Sequence, residues 1–204
     1  PNNAVLAVTG NLSWDETRRL ADKWFAPILR RDIPERRLPQ EPVQTEERRL
    51  IVERNVPLDA LYMAFHTCGR DEADYYAFDI LSDILSNGRS SRLTRRLVQE
   101  RKLFSNIDAY ISGSRDAGLL NISGRPSAGV TLEQAEAAVW EELERLREEP
   151  VEHRELEKVK NKFESTQIFG NINYLNVATN LAWFELTGEA EDIDREVDRY
   201  RAVS

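Results

Sequence analysis

The sequence predicts an α+β fold, a mostly antiparallel sheet with helices packed on one face. Three observations predict it. Strand-like runs come as neighbouring pairs, 48–56 with 60–68 and 105–113 with 118–124. Helical stripes come in blocks instead of alternating singly with strands. A content of 41% hydrophobic and 31% charged residues over 204 positions gives a folded chain long enough to bury a core.

From the N-terminus, "AVLAVTG" (4–10) is a short apolar run ending at Gly10, the pattern of a buried strand. Ser13 and Glu16 then form a candidate capping box for a helix whose face carries Leu20, Trp24 and Phe25. Residues 31–46 hold Pro34, Pro39 and Pro42 among charges without apolar periodicity, which predicts a linker. "RRLIVERNV" (48–56) and "ALYMAFHTC" (60–68) read as strands. The second is apolar on both sides, as a central, covered strand would be.

"DEADYYAFDILSDILSNG" places Ala77, Ile80, Leu81, Ile84 and Leu85 on one stripe and stops at Asn87-Gly88. A second helix, about 89–101, comes next, with Ser90 or Ser91 as its cap and its arginines expected on the wet face. "SNIDAYISG" and "GLLNISG" are strands joined by the polar turn Ser114-Arg115-Asp116, with one wetter face. Thr131 and Gln134 make another capping box before a helix striped by Leu132, Ala135, Val139, Leu143 and Leu146, which ends before Pro150. Helices over 152–169, 172–187 (closed by Gly188) and 190–202, with Ile193, Val197 and Tyr200 in register, complete the chain. The start at Pro1 in a strand-like run and the stop at Ser204 just after a helix predict a piece of a longer protein.

The charge and the motifs narrow the function. A net charge of −8 argues against a general affinity for nucleic acid or anionic membrane. No apolar run approaches the roughly 18 residues of a membrane span. Cys68, the single cysteine, excludes an internal disulfide and leaves the compartment open.

The two histidines, His66 and His153, form neither His-Glu-x-x-His nor its inverse, so no zinc site is assembled by motif. His153 among Glu152, Glu155 and Glu157 reads as a solvated helix start. His66 and Cys68 share a strand but lack the third, orienting group that a thiolate nucleophile needs. No carboxylate pair sits in an apolar setting that would raise its pKa.

Gly88-Arg89-Ser90-Ser91 offers backbone N–H groups at a helix start, without the spacing of a phosphate loop. Aromatics interleaved with basic residues, the mark of single-strand binders, are absent around it. The residues alone therefore assign no catalytic, metal-ligating or cofactor-binding position, and leave any substrate-binding residue unassigned.

Three segments, in order, resemble a known family. "PNNAVLAVTGNLSWDETRRLADKWFAPI" resembles the strand–helix that ends the first half of insulinase/pitrilysin-type zinc metallopeptidases, a group that includes mitochondrial processing peptidase. "DEADYYAFDILSDILSNGRSSRLTRRLVQERKLFSNIDAY" resembles the helix–loop–helix–strand of the second half. "GLLNISGRPSAGVTLEQAEAAVWEELERLREEPVEHRELEKVKNKF" resembles the next strand and helix of that half and the start of its Glu-Leu-rich helix.

The resemblance implies a half-molecule fold of the LuxS/processing-peptidase type. It implies residues 1–30 as the tail of the preceding half, 31–46 as linker, and 47–204 as a non-catalytic domain. The zinc ligands would lie in a catalytic half of the same protein or in a partner subunit. The two halves would enclose unfolded peptide. In active relatives an arginine and, seven residues later, a tyrosine hold substrate; the matching positions here are Val98 and Ser105. Arg95, Arg96 and Arg101 are off register, and Tyr110 comes five residues late. An inactive scaffold or interaction subunit of the same fold is the alternative. An anion- or nucleic-acid-binding module on residues 86–100 is disfavoured.

Overall fold

The computed structural model describes residues 2–35, 37–39 and 41–204, which divide into two compact units. The first comprises residues up to Asn55 together with Asn173–Ala190. It contains helix α1 (Trp14–Phe25), whose N-terminus is capped by Ser13: its Oγ accepts the Glu16 N–H at 3.2 Å. The Glu16 carboxylate stands 3.7 Å from Arg19, so the cap is one-sided where a full box was expected.

The expected strands 4–10 and 48–56 are not formed: neither segment pairs into a ladder, and Leu50 is 85% exposed. An apolar run becomes a strand only beside a partner that takes its N–H and C=O groups. The other long helix of this unit, α5 in chain order (Tyr174–Thr187), ends as the sequence predicts, with the Gly188 N–H on the Phe184 carbonyl at 2.8 Å.

The second unit, Val56–Ile172 with Glu191–Ser204, contains the sheet. Among the described residues its strands are β1 (Leu61–Thr67), β2 (Phe104–Ile111) and β3 (Gly118–Pro126), antiparallel in the order β1-β3-β2. β1 is thus an edge strand, not the central strand its composition suggested. Leu61, Met63 and Phe65 pack toward the core, while Tyr62, Ala64 and His66 are exposed. The period of two decides this, because alternate side chains must leave by opposite faces. The apolar character of both faces therefore marks an uncovered apolar surface.

Helices cover the other face. α2 (Tyr75–Ser86) buries Ile80, Ile84 and Leu85, with Ala77 left exposed. α3 (Leu132–Glu148) starts with the predicted capping box: the Gln134 N–H donates to Thr131 Oγ1 at 3.3 Å, and Gln134 Oε1 accepts the Thr131 N–H at 3.1 Å. It buries Ala135, Ala138 and Val139, and Trp140 sets its ring edge-on to Phe65 at 5.5 Å. α4 (His153–Gly170) packs behind α2, with Val159 in a second cluster beside Ile80, Ile84 and Tyr200. The main core joins α2 and α3 to Leu93, Leu97, Phe104, Ile107 and Ile122.

The helix expected at 89–101 forms over 92–100, but over Thr94–Glu100 it is a wider π-helix. The Arg101 N–H reaches Arg96 O at 2.9 Å and the Leu103 N–H reaches Leu97 O at 2.8 Å, five and six residues back. It closes at Lys102, whose φ of 55° is left-handed. Ser91 is buried just before the first helical residues: its carbonyl accepts the Arg95 N–H at 2.8 Å, and its hydroxyl donates to Gly88 O at 2.7 Å instead of capping.

The arginines here are not all on the wet face. Arg92 is 7% exposed and forks onto Glu155 of α4, with Nη2 to Oε2 at 2.8 Å. Arg96 meets the buried Glu142 of α3 at 2.8 Å. Arg101 reaches Glu141, while Arg95 stays exposed beside Glu100. The charge run is a set of pins that fastens this turn to two helices, because carboxylates far along the chain face it.

Candidate functional site

The sequence candidates for chemistry do not converge. His66 lies exposed on the outer face of β1, Cys68 is half-buried beyond the strand's end, and His153 opens α4 in an exposed position. Burial, and then the Glu72 charge, push the Cys68 thiol up, away from the thiolate a nucleophile requires. Among the described residues no three His, Cys, Asp or Glu side chains are grouped to hold a metal ion. No described helix is long and apolar enough to cross a membrane.

The positions matching the substrate-gripping pair are equally plain. Val98 is partly buried against the main core, and the Ser105 hydroxyl donates to the Arg125 carbonyl at 3.1 Å.

Two surfaces do have distinctive chemistry. One is a buried polar cluster between the loop after β1, α2, α4 and the short C-terminal helix α6 (Glu196–Arg201). Glu196, 4% exposed, accepts from Arg70 and from Gln167, the latter at 3.0 Å. Arg70 also donates to the Tyr75 hydroxyl at 3.1 Å. The Tyr200 hydroxyl donates to Asp79, and Arg199 donates to the Tyr76 hydroxyl at 3.2 Å.

Burial raises the Asp79 carboxyl, with the Tyr200 hydrogen bond opposing. Burial likewise raises Glu196 against the pull of Arg70. Both carboxyls are raised by burial within a polar cluster and not by an apolar setting. Tyr75, Ile80 and Val159 wall this region from elements scattered through the chain, so the setting was not visible locally.

Because Asp79 is raised in the fold, its contribution is full below the unfolded carboxylate pKa, about 4, and is lost as pH climbs through the folded value. Asp79→Asn should therefore gain stability relative to wild type as pH rises from about 4 to about 7. Urea unfolding at the two pH values checks this, and a pH-independent difference would contradict it.

The other surface is the bare face of the sheet. Its register sets Tyr62 beside Ser123 and then Asp108 across the three strands, and Ala64 beside Asn121 and then Tyr110. Tyr62 is 78% and Tyr110 52% exposed. Ser86 Oγ, at the end of α2, accepts the Ala109 N–H and stands 2.8 Å from Asp108 Oδ1, which steadies the outer edge of β2. Sequence reading missed Tyr62 and Tyr110 as candidates. Their signal was alternation: each occupies the outward register of its strand in "LYMAFHT" and "FSNIDAYI".

Comparison with known proteins places this geometry in a family. The family model described as the peptidase M16 inactive domain matches residues 1–163. The chain belongs to the peptidase M16 inactive-domain family. Among curated relatives, the zinc protease PqqE of Helicobacter pylori is 25% identical over 165 residues, 78% of this chain and 37% of that protein. The uncharacterized zinc protease YmxG of Bacillus subtilis is 24% identical over 166 residues, 81% of this chain and 39% of that one. The chain thus spans well under half the length of these two relatives.

Solved structures agree on the M16 fold. A protease from Helicobacter pylori superposes with a TM-score of 0.84 at 20% identity, over 95% of this chain and 48% of that one. A peptidase M16 inactive domain from Pseudomonas fluorescens gives 0.62 at 16% identity, over 71% of this chain and 35% of that one. The M16 inactive domain and its α+β architecture, expected from the three resembling segments, are therefore established.

Proposed function

We propose that this chain is the non-catalytic half of an insulinase/pitrilysin-like zinc metallopeptidase and forms part of the wall of its peptide chamber. The observation that carries the reading is the asymmetry of the sheet. One face is sealed by helices, while the other presents Tyr62, Ala64, Asn121 and Tyr110 without a covering element in this unit. A wall needs one stable back and one surface offered to the substrate. Residues 1–30 would be the tail of the catalytic half, 31–46 the linker and 47–204 the wall domain. Zinc would be held by the catalytic half, in the same polypeptide or in a partner subunit, and this chain would contribute surface only.

The second reading is an inactive scaffold subunit with the same fold. Val98 and Ser105 favour it, since they stand where active relatives have the arginine and tyrosine that hold substrate. Site-specific photocrosslinking in the parent protein separates the two. With p-benzoylphenylalanine in place of Ala64, unfolded casein should be captured, and with the same group in place of Glu144 on the exposed side of α3 it should not. Equal capture at both positions, or none at Ala64, would favour the scaffold.

A further inference from the structure

The chain passes between its two units three times, after Asn55, after Ile172 and after Ala190. After the last crossing, residues 191–204 return to the sheet-containing unit and end in α6. This return is held differently from the rest of the unit.

α6 has six residues, too few to persist as an isolated helix, so its place depends on what its side chains grip. Its two buried residues are Glu196 and Tyr200, a carboxylate and a phenol. Glu196 accepts from Arg70 in the loop after β1 and from Gln167 on α4. Tyr200 donates to Asp79 and Arg199 donates to Tyr76, both on α2. From α4, Glu164 pairs with Arg201, and Lys160 donates to the Arg201 carbonyl at 3.0 Å.

Apolar packing of the return is slight by comparison. The Tyr200 ring stacks on Phe163 with centroids 3.5 Å apart and stands edge-on to Tyr76 at 5.0 Å, with Val203 at the margin of the same cluster. The main core takes no residue from 191–204.

The two kinds of contact respond differently to opening. When α6 leaves, water solvates Glu196, Asp79 and Arg70 again, which offsets much of what the hydrogen bonds and ion pairs contributed. Opening the sheet exposes apolar surface, and water gives nothing back for that. The polar grips also sit on one short helix, so they are made and lost together. A segment of this kind opens at a lower free energy than the sheet.

We propose that residues 191–204 are a detachable strap, released as one piece from Arg70, Tyr76, Asp79 and Gln167 while the sheet and its helices stay folded. Closed, the strap anchors the chain just after its last crossing. Open, that crossing loses its anchor, and 173–190 is tied to the sheet-containing unit through the crossing after Ile172. The strap does not rest on the chamber-wall reading.

The test is hydrogen exchange of the 204-residue chain, read by mass spectrometry on peptides from 191–204 and from β3, where exchange reports the opening equilibrium. Ile122→Val, in the core at 1% exposure, should speed exchange of β3 about threefold to tenfold and leave 191–204 unchanged. Tyr200→Phe keeps the stacked ring and removes the hydroxyl from Asp79; it should speed 191–204 about threefold to thirtyfold. Arg70→Met, which takes the guanidinium from Glu196, should act in the same direction.

Equal acceleration of both regions by Ile122→Val overturns the strap, because 191–204 would then open only when the whole unit unfolds. Exchange of 191–204 that neither Tyr200→Phe nor Arg70→Met changes also overturns it, since the end of the chain would then fray without regard to these grips.

Discussion

Arg96→Ala should destabilise the sheet-containing unit by about 3–5 kcal/mol, the range for stranding a buried charge. Glu142 is 2% exposed, and its carboxylate meets Arg96 at 2.8 Å. Removing the guanidinium leaves that carboxylate in the core of α3 without its counter-charge. Removing both charges is a different matter. Arg96→Met combined with Glu142→Leu keeps the volume and deletes the desolvation cost, so the double variant should recover most of the loss. Urea unfolding of the single and double variants beside wild type measures this. A single variant within about 1 kcal/mol of wild type would mean that water reaches Glu142.

Phe104→Ala should cost a similar ~3–5 kcal/mol through the cavity it opens. Phe104 is 1% exposed, and its ring lies so close to Gly124 that a Cβ there would stand 2.7 Å from ring carbons. The glycine on β3 is thus shaped to the phenylalanine on β2, and little else can move into the space. Against a typical total of about 5–15 kcal/mol, such a loss takes much of the unit's stability. Gly124→Ala should act in the same direction from the other side, by overpacking. A small change in both would show that β2 and β3 shift apart freely.

These two sites also show what the sequence could reveal. The helices at Tyr75–Ser86 and Leu132–Glu148 were legible because their signals are local: a stripe at period 3.6 and, for the second, a capping box within four residues. The roles of Arg92 and Arg96 were not, because Glu155 and Glu142 lie 63 and 46 residues away. A run of arginines on a helix looks solvated until the fold brings carboxylates to it.

The runs at 4–10 and 48–56 failed as strands for a related reason, since a ladder depends on a partner that a local pattern does not contain. Tyr62 and Tyr110 were legible singly as outward positions. Their pairing on one face required the order β1-β3-β2, which inserts Asn121 and Ser123 between them. The raised carboxyls of Asp79 and Glu196 were hidden in the same way, in a cluster closed by residues far apart in the chain.

On the proposed reading, zinc binding and peptide cleavage belong to a part of the protein outside this chain, and metal content checks it. The purified 204-residue chain, incubated with excess zinc at neutral pH and then desalted, should retain far less than one equivalent and leave unfolded casein intact. Stoichiometric zinc, together with casein cleavage that a chelator abolishes, would contradict that placement.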